Sequence, residues 1–448
     1  MADTRPDGGG GVSRRSGLYA LLVLLLAYIL SFVDRNVMAV LIGPIRQDFA
    51  ISDFQYSLLH GFAFSMFYIF LGLPIARLAD RGSRKWVITA GVMFWSVMTC
   101  ACGLARSFGG LFLARVGVGV GEAALSPPAY SLLSDYFDER SLPRAMAVYT
   151  LGITIGGGLA YIVGGAVYQY FTLHGPLELP LVGALRPWQT TFVIVGLPGF
   201  LLVLLLAAMV EPPRAGATGT PVSTYSPAQI AAFLRKHWQA YGSLVFGVSL
   251  LSVLGYGTMA WYPEFLVRSH GMAAAEAGAR FGTIFIIAGS AGTLLGGFSA
   301  APLLARGFTD ANQRLVMWIA LLWLPPAVLG PLAPDSQWAL WAAVPIVFFL
   351  NSYFGLAIAA LQRITPNRMR AQVSAVMLFM TNLFGLALGP SAVAAITDFV
   401  FSDDAALSRS LSLLPLLLCP PAALLLGWGL RYYRRALAHV DASAETGV

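Results

Sequence analysis

Twelve apolar stretches, each about 20 to 29 residues long and separated by short polar segments, leave this chain few folds to adopt. They lie at 18–42, 57–77, 86–105, 109–134, 144–170, 188–210, 240–267, 277–305, 313–333, 336–363, 369–396 and 409–434. Each is long enough to cross about 30 Å of hydrocarbon as a helix. There every backbone N–H and C=O must be satisfied within the segment, and a helix does this alone. Composition agrees: 57% of the residues are apolar and 11% charged, against roughly 25% charged in soluble domains. The first stretch is too long for a signal-peptide core and no cleavage pattern follows it, so it reads as span 1. Cys100, Cys102 and Cys419 all fall inside apolar stretches, with no disulfide framework or metal-ligand spacing.

An even number of spans puts both termini on one side, and loop charge says which. With both termini inside, inner segments hold 20 of the 28 Lys and Arg residues and outer segments six. The termini are therefore expected in the cytoplasm. The net charge of +7 follows from this bias, and no basic run suited to nucleic acid exists. The longest inner loop, 211–239, opens as a flexible Gly/Thr/Pro-rich linker. It then presents Ser226-Pro227 as a helix start, predicting a short surface helix over 228–237. The expected organisation is a disordered tail 1–17, a six-helix bundle 18–210, the linker 211–239, a second six-helix bundle 240–434 and a tail 435–448. Transporters commonly use such halves, with the substrate site between them. Glycines recur in spans 4, 5 and 11 (Gly117, Gly119 and Gly121; Gly152 and Gly156 to Gly158; Gly385 and Gly389). They predict close helix contacts and halves that rock.

Four charges interrupt the apolar pattern: Asp34 and Arg35 in span 1, Arg115 and Glu122 in span 4. Ionisable groups at membrane depth are costly and usually mark a substrate or proton path. Counting about 1.5 Å per residue puts Asp34 about 12 Å, Arg115 about 9 Å and Glu122 about 20 Å from the outer edge. Arg115 is then level with Asp34-Arg35, and Glu122 about two turns deeper. Protonating an acid would leave an arginine free to bind an anion or to shift the balance of conformations. The competing reading is a fixed ion-pair network that sets helix register. His60 in span 2 reads either as a proton relay or as a hydrogen-bonded helix residue near Tyr56 or Phe64.

The loop after span 2 reads Ala76-Arg-Leu-Ala-Asp80-Arg81-Gly-Ser83-Arg84-Lys85. It resembles the loop signature of the major facilitator superfamily, G-x₃-D-R-x-G-R-[RK], with Ala76 and Ser83 in place of glycines. Arg115-x₃-Gly119-x-Gly121, the glycines of span 5 and the Pro187-Trp188 entry to span 6 are similar to further superfamily motifs. Asp34-Arg35-Asn36, Gly121-Glu122 and Pro366-Asn-Arg368-Met-Arg370-Ala-Gln372 resemble the spinster-like branch, in a bacterial member. The resemblance implies an all-α membrane protein with twelve helices in two pseudo-symmetric six-helix bundles. It implies proton coupling through Asp34 and Glu122, with Arg35 and Arg115 as charge partners and head-group ligands. It also implies a cytoplasmic gate of Asp80, Arg81, Arg84, Lys85, Arg144 and Arg370, with Asp80 meeting the start of span 11. Ordinary positive-inside residues are the plainer reading of that group. Glu264 and Arg268 form an expected helix pair at the outer end of span 7.

The second half lacks mid-depth charge. Tyr256, Trp261, Asn351, Tyr353, Phe354, Phe379 and Asn382 are the expected cavity lining. One charged wall and one apolar wall suit an amphiphilic anion, and the branch includes sphingolipid and lysophospholipid transporters. The expectation is a monomeric, proton-coupled secondary transporter in the inner (plasma) membrane, with no cofactor or metal beyond protons as coupling ion. A transporter of small organic anions or drugs is the same-fold alternative. A receptor would need a soluble output domain. An enzyme would need a catalytic set, and a primary pump a phosphate-binding loop; the sequence offers none of these.

Overall fold

The computed structural model describes residues 14–138, 140–180, 182–213, 226–366 and 369–445. Among them, twelve helices are long and apolar enough to cross a membrane. They are spans 1 to 12: Arg15–Val40, Asp53–Gly72, Arg84–Leu104, Phe108–Tyr136, Leu142–His174, Pro187–Ala208, Trp238–His270, Ala274–Ala305, Ala311–Leu332, Ser336–Arg363, Gln372–Phe401 and Asp404–Val440. "Inner" and "outer" below follow the loop-charge bias.

Several ends differ from expectation. The first helix begins at Arg14, within the stretch expected as disordered tail; residues 1–13 lie outside the described residues. The last helix runs on to Glu445, because its final two turns hold no Pro or Gly to stop it. The linker helix spans Pro227–Lys236 and is started by a capping box. Gln229 N–H donates to the Ser226 hydroxyl at 3.3 Å, and Ser226 N–H to the Gln229 carboxamide at 2.8 Å. Residues 214–225 of the linker lie outside the described residues. A two-stranded hairpin in the outer loop after span 5, Leu177–Leu179 with Gly183–Leu185, was not anticipated.

The halves repeat one packing plan. Span 1 packs on span 5, span 2 on span 4 and span 3 on span 6. Six spans later, span 7 packs on span 11, span 8 on span 10 and span 9 on span 12. Span 5 carries the seam between the halves, lying along span 8. A Cβ at Gly158 would come 2.6 Å from the Gly282 carbonyl oxygen, and one at Gly282 would come 2.5 Å from that of Gly158. Thr154 and Ser290 exchange a hydrogen bond of 3.0 Å further inward.

The outer end is pinned by charge. Asp53, fully buried, receives Arg268 of the other half through two bonds of 2.7 and 3.0 Å. Arg46 holds Asp53 at 2.8 Å and crosses to Asp404 at 2.9 Å. Phe54 N–H donates to Asp398 at 2.7 Å. The expected Glu264–Arg268 pair is present at 3.1 Å and belongs to this network.

Candidate functional site

Irregular backbone gathers around the intramembrane charges. The helix of span 1 ends at Asn36, directly after Asp34-Arg35, and tightens into a 3₁₀ turn over Val37–Val40. Span 2 holds a π turn, Leu58–Phe62, centred on His60. Span 4 is broken after Glu122 and resumes as Ser126–Tyr136. Pro127 and Pro128 cause this break: they have no N–H for the carbonyls of Ala123 and Ala124. The preceding turn tightens, with Ala124 N–H on Gly121 O and Leu125 N–H on Glu122 O, both at 3.1 Å. A further π turn, Leu383–Leu388, faces span 2 from the other half. Such interruptions at membrane depth occur where backbone lines a cavity or is buried in protein.

All four charged side chains are buried. Arg35 Nη2 bonds Glu122 Oε2 at 2.6 Å. Arg115 Nη1 donates to the backbone carbonyl of Asp34 at 3.2 Å. The Asp34 carboxylate accepts a 3.3 Å bond from the Thr99 hydroxyl. This corrects the expected levels, in which Glu122 lay two turns below Arg35. Helix side chains lean toward the helix N-terminus. Spans 1 and 4 run antiparallel, so Arg35 leans inward and Glu122 outward until they meet. Arg115 leans outward as well and reaches the span 1 backbone, not a carboxylate.

Aromatic rings replace water around the guanidinium groups. Arg35 lies 4.7 Å from the ring centre of Phe32, 4.6 Å from Phe64 and 5.0 Å from Tyr68. Arg115 lies 5.4 Å from the same Phe64 ring. Even so, Asp34 Oδ1, Glu122 Oε1, Arg35 Nε and two Arg115 nitrogens have no hydrogen-bond partner among the described residues. A satisfied structural network would leave no such surplus. The unused capacity is what a ligand, water or proton can take up.

His60 is buried and its Nδ1 lacks a partner among the described residues. It lines a cavity of about 10 Å³ with Arg35, Asn36, Gly61, Tyr256, Met259, Leu386 and Pro390, about the room for one water. Of the expected lining residues, Tyr256 therefore stands beside the charges. Phe379 meets Phe70 of span 2 edge-on at 6.0 Å across the seam. Asn351 donates to Val347 O at 2.9 Å and lies next to Gly289. Asn382 and Phe354 are half-buried. Trp261 is buried against Tyr56, with its N–H on Pro390 O at 2.9 Å. Tyr353 points into the second half instead, its hydroxyl on Ser252 at 3.2 Å and its ring stacked on Trp323.

At the inner end, Arg84 is the hub of a clamp within the first half. It bonds Asp135 at the end of span 4, Ser131 Oγ at 2.9 Å, Glu211 beyond span 6 at 3.2 Å and Pro212 O at 3.1 Å. Lys85 Nζ donates to Ala207 O at 3.2 Å. Burial pushes the Glu211 carboxyl up, but its bonds to Ser83 and Arg84 outweigh this and hold it below the usual range. Ser83, which departs from the signature glycine, caps span 3 by accepting Trp86 N–H at 3.3 Å and donates to Glu211. Asp80, Arg81 and Arg144 are exposed at this end, and Arg370 donates to Thr365 O at 3.1 Å. Sequence reasoning missed Thr99, the rings about Arg35 and the Asp53–Arg268 bridge. The Pro127-Pro128 pair was a legible signal for the break.

The comparisons with known proteins agree with this architecture. Residues 24–390 match the family model "Major Facilitator Superfamily". An MFS-type efflux pump of Mycolicibacterium smegmatis is 30% identical, over 88% of this chain and 88% of its own. The Drosophila melanogaster protein spinster is 25% identical, over 86% of this chain and 63% of its own. The crystal structure of a bacterial homologue of the human lysosomal transporter spinster, inward-facing and unoccupied, superposes with a TM-score of 0.73. It shares 29% identity and covers 95% of this chain and 98% of that one. With twelve spans in two repeated halves and a buried charge cluster in the first of them, the chain belongs to the Major Facilitator Superfamily and is a transporter of the spinster type.

Proposed function

We propose that this transporter couples the movement of an amphiphilic anion, of the lysophospholipid or sphingolipid kind, to protons. The observation that carries the reading is the Arg35–Glu122 pair, 2.6 Å long, inside an aromatic surround, with one Glu122 oxygen unpartnered. Protonating Glu122 removes the charge that holds Arg35. A buried guanidinium without a counter-ion is costly, so an anionic head group then binds in its place. Asp34 is the second proton-accepting site, and the Arg115 bond to the span 1 backbone couples its environment to span 4. The apolar wall of the second half accepts the tail. Asp80, Arg81 and Arg370 are proposed to meet at the inner gate, Arg84 and Lys85 to brace it from within the first half, and Arg144 to join it. The protein works in the inner membrane as a monomer, with protons as its coupling ion.

The test is flux of lysolipids and of small carboxylates into proteoliposomes under opposed pH gradients. Flux should follow the gradient, increase with acyl length, and lose its pH dependence in Asp34→Asn and Glu122→Gln. Flux that ignores a reversed gradient removes the coupling; indifference to tail length removes the lipid-like substrate. A second reading, export of drugs or small organic anions, is favoured by the likeness to a mycobacterial efflux pump. It predicts that tail-less substrates compete fully.

A further inference from the structure

Seven residues before Arg35, span 1 carries Tyr28, and eight residues after Glu122, span 4 carries Tyr130. At about 1.5 Å per residue both lie about 10 to 12 Å inward of the Arg35–Glu122 pair. Tyr149 of span 5 joins them. Its ring stacks on Tyr28 at 4.5 Å, nearly parallel, and meets Tyr130 edge-on at 5.4 Å. Tyr28 continues the chain of rings to Phe32 at 5.3 Å, and Phe32 lies against Arg35. Three helices thus place three phenols in one layer that leads to the guanidinium.

The Tyr149 hydroxyl is not used up by the fold, while those of Tyr28 and Tyr130 lie within reach of each other. Tyr149 is fully buried, and among the described residues its hydroxyl completes no hydrogen bond of good geometry, Ser126 being the side chain that comes near it. An orphaned buried hydroxyl is destabilising, where phenylalanine would bury no polar group. Tyr130 is 39% exposed and forms the open edge of the layer. Phenols keep a donor available without adding charge, which suits an oxygen-rich anion whose counter-charge is already supplied by Arg35.

We propose that Tyr28, Tyr130 and Tyr149 form a hydroxyl-lined subsite for the oxyanion head of the substrate, one layer inward of Arg35. This rests on the reading above that the ligand is an anionic amphiphile. In this subsite the phenols donate to head-group oxygens before or after the head pairs with Arg35, so the anion moves between donors and not through bare hydrocarbon.

The test is binding to the purified protein of three twelve-carbon probes below their micelle concentrations: dodecyl phosphate, dodecanoate and dodecyltrimethylammonium. Tyr28→Phe and Tyr149→Phe keep the ring packing and remove one donor each. One lost hydrogen bond to an anionic oxygen is worth about a ten-fold to hundred-fold loss of affinity. We expect that loss for dodecyl phosphate; the same loss for dodecanoate means either oxyanion fits, and none means phosphate alone does. The ammonium probe should be unaffected. Tyr149→Phe should also raise the melting temperature of the empty protein, because it deletes an orphaned group. Unchanged phosphate affinity in both variants, equal weakening for the ammonium probe, or a wild-type protein that binds neither anion overturns the subsite. Tyr130→Phe, on the open edge, gives a third readout should either buried variant fail to fold. A protein that binds dodecyl phosphate through these phenols but shows no pH-driven flux keeps the subsite and loses the transport reading.

Discussion

Gly158→Ala adds one methyl group where the two halves touch through their backbones. The new Cβ would lie 2.6 Å from the Gly282 carbonyl and 2.3 Å from Ile286 Cγ1, against 3.4 Å for ordinary contact. Ile286 can rotate, but the carbonyl cannot leave its own helix. Spans 5 and 8 must therefore separate by about 0.8 Å at this level, the difference between those two distances. Overpacking of this kind costs about 1 to 3 kcal/mol. On the expectation that the halves rock and this contact parts as the outer end opens, the strain moves the balance toward outer opening by about five-fold to more than a hundred-fold. The readout is a cysteine at Met259, which is 7% exposed beside the small cavity, in a chain freed of Cys100, Cys102 and Cys419. A membrane-impermeant maleimide applied from outside should label it faster by that factor. Gly297→Ala is the control in span 8: nothing lies within 4 Å of its Cβ, and an added alanine there should stabilise the helix by up to about 1 kcal/mol. Equal labelling rates in Gly158→Ala and its parent would refute the claim that this seam resists opening.

Two further perturbations probe the ends of the molecule. Asp53→Asn leaves Arg46 and Arg268 without their shared buried counter-ion, a loss of about 3 to 5 kcal/mol from the outer-closed form. Thermal unfolding should fall sharply, and adding Arg268→Gln should cost less than the sum of the two single changes; additive losses would show that the bridge across the halves carries no coupling. At the inner end, Glu211 is held below its usual range, so its contribution is present above the ordinary value near 4.5 and fades as pH falls through its lower folded value. Melting temperature should hold from pH 7 to about pH 5 and drop as the pH is taken below 4.5, and Glu211→Gln should flatten part of that drop; an unchanged slope there would place the acid sensitivity elsewhere.

The spans and the four charged residues were legible because charge within a long apolar run has few innocent explanations. The pairing was not. Rise per residue locates a Cα, whereas Arg35 and Glu122 meet through side chains that lean toward each other from antiparallel helices. Tyr28, Tyr130, Tyr149 and Thr99 stayed hidden because threonine and tyrosine are ordinary members of a span. Only the fold brings Thr99 to Asp34, across 65 residues of chain. The Arg268 bridge to Asp53 joins residues 215 apart, and nothing local in either segment selects the other. The loop signature places Arg84 at the inner gate but does not name its partners. Its partners, Asp135 and Glu211, lie in its own half.

The placement of the four mid-membrane charges, Asp34, Arg35, Arg115 and Glu122, in spans 1 and 4 has an electrical consequence. With both carboxylates ionised, the two carboxylates and two guanidinium groups of this cluster sum to zero, so the empty cluster adds no net charge to the membrane field. One proton makes the cluster positive, and one monovalent head group restores neutrality. A half loaded with both therefore crosses without sensing voltage, while a half loaded with either alone works with or against about 2.3 kcal/mol per 100 mV. Partial loading is disfavoured on energised membranes in one direction and favoured in the other. On the proposed proton coupling, the membrane potential, and not only the pH gradient, then sets which incomplete cycles leak.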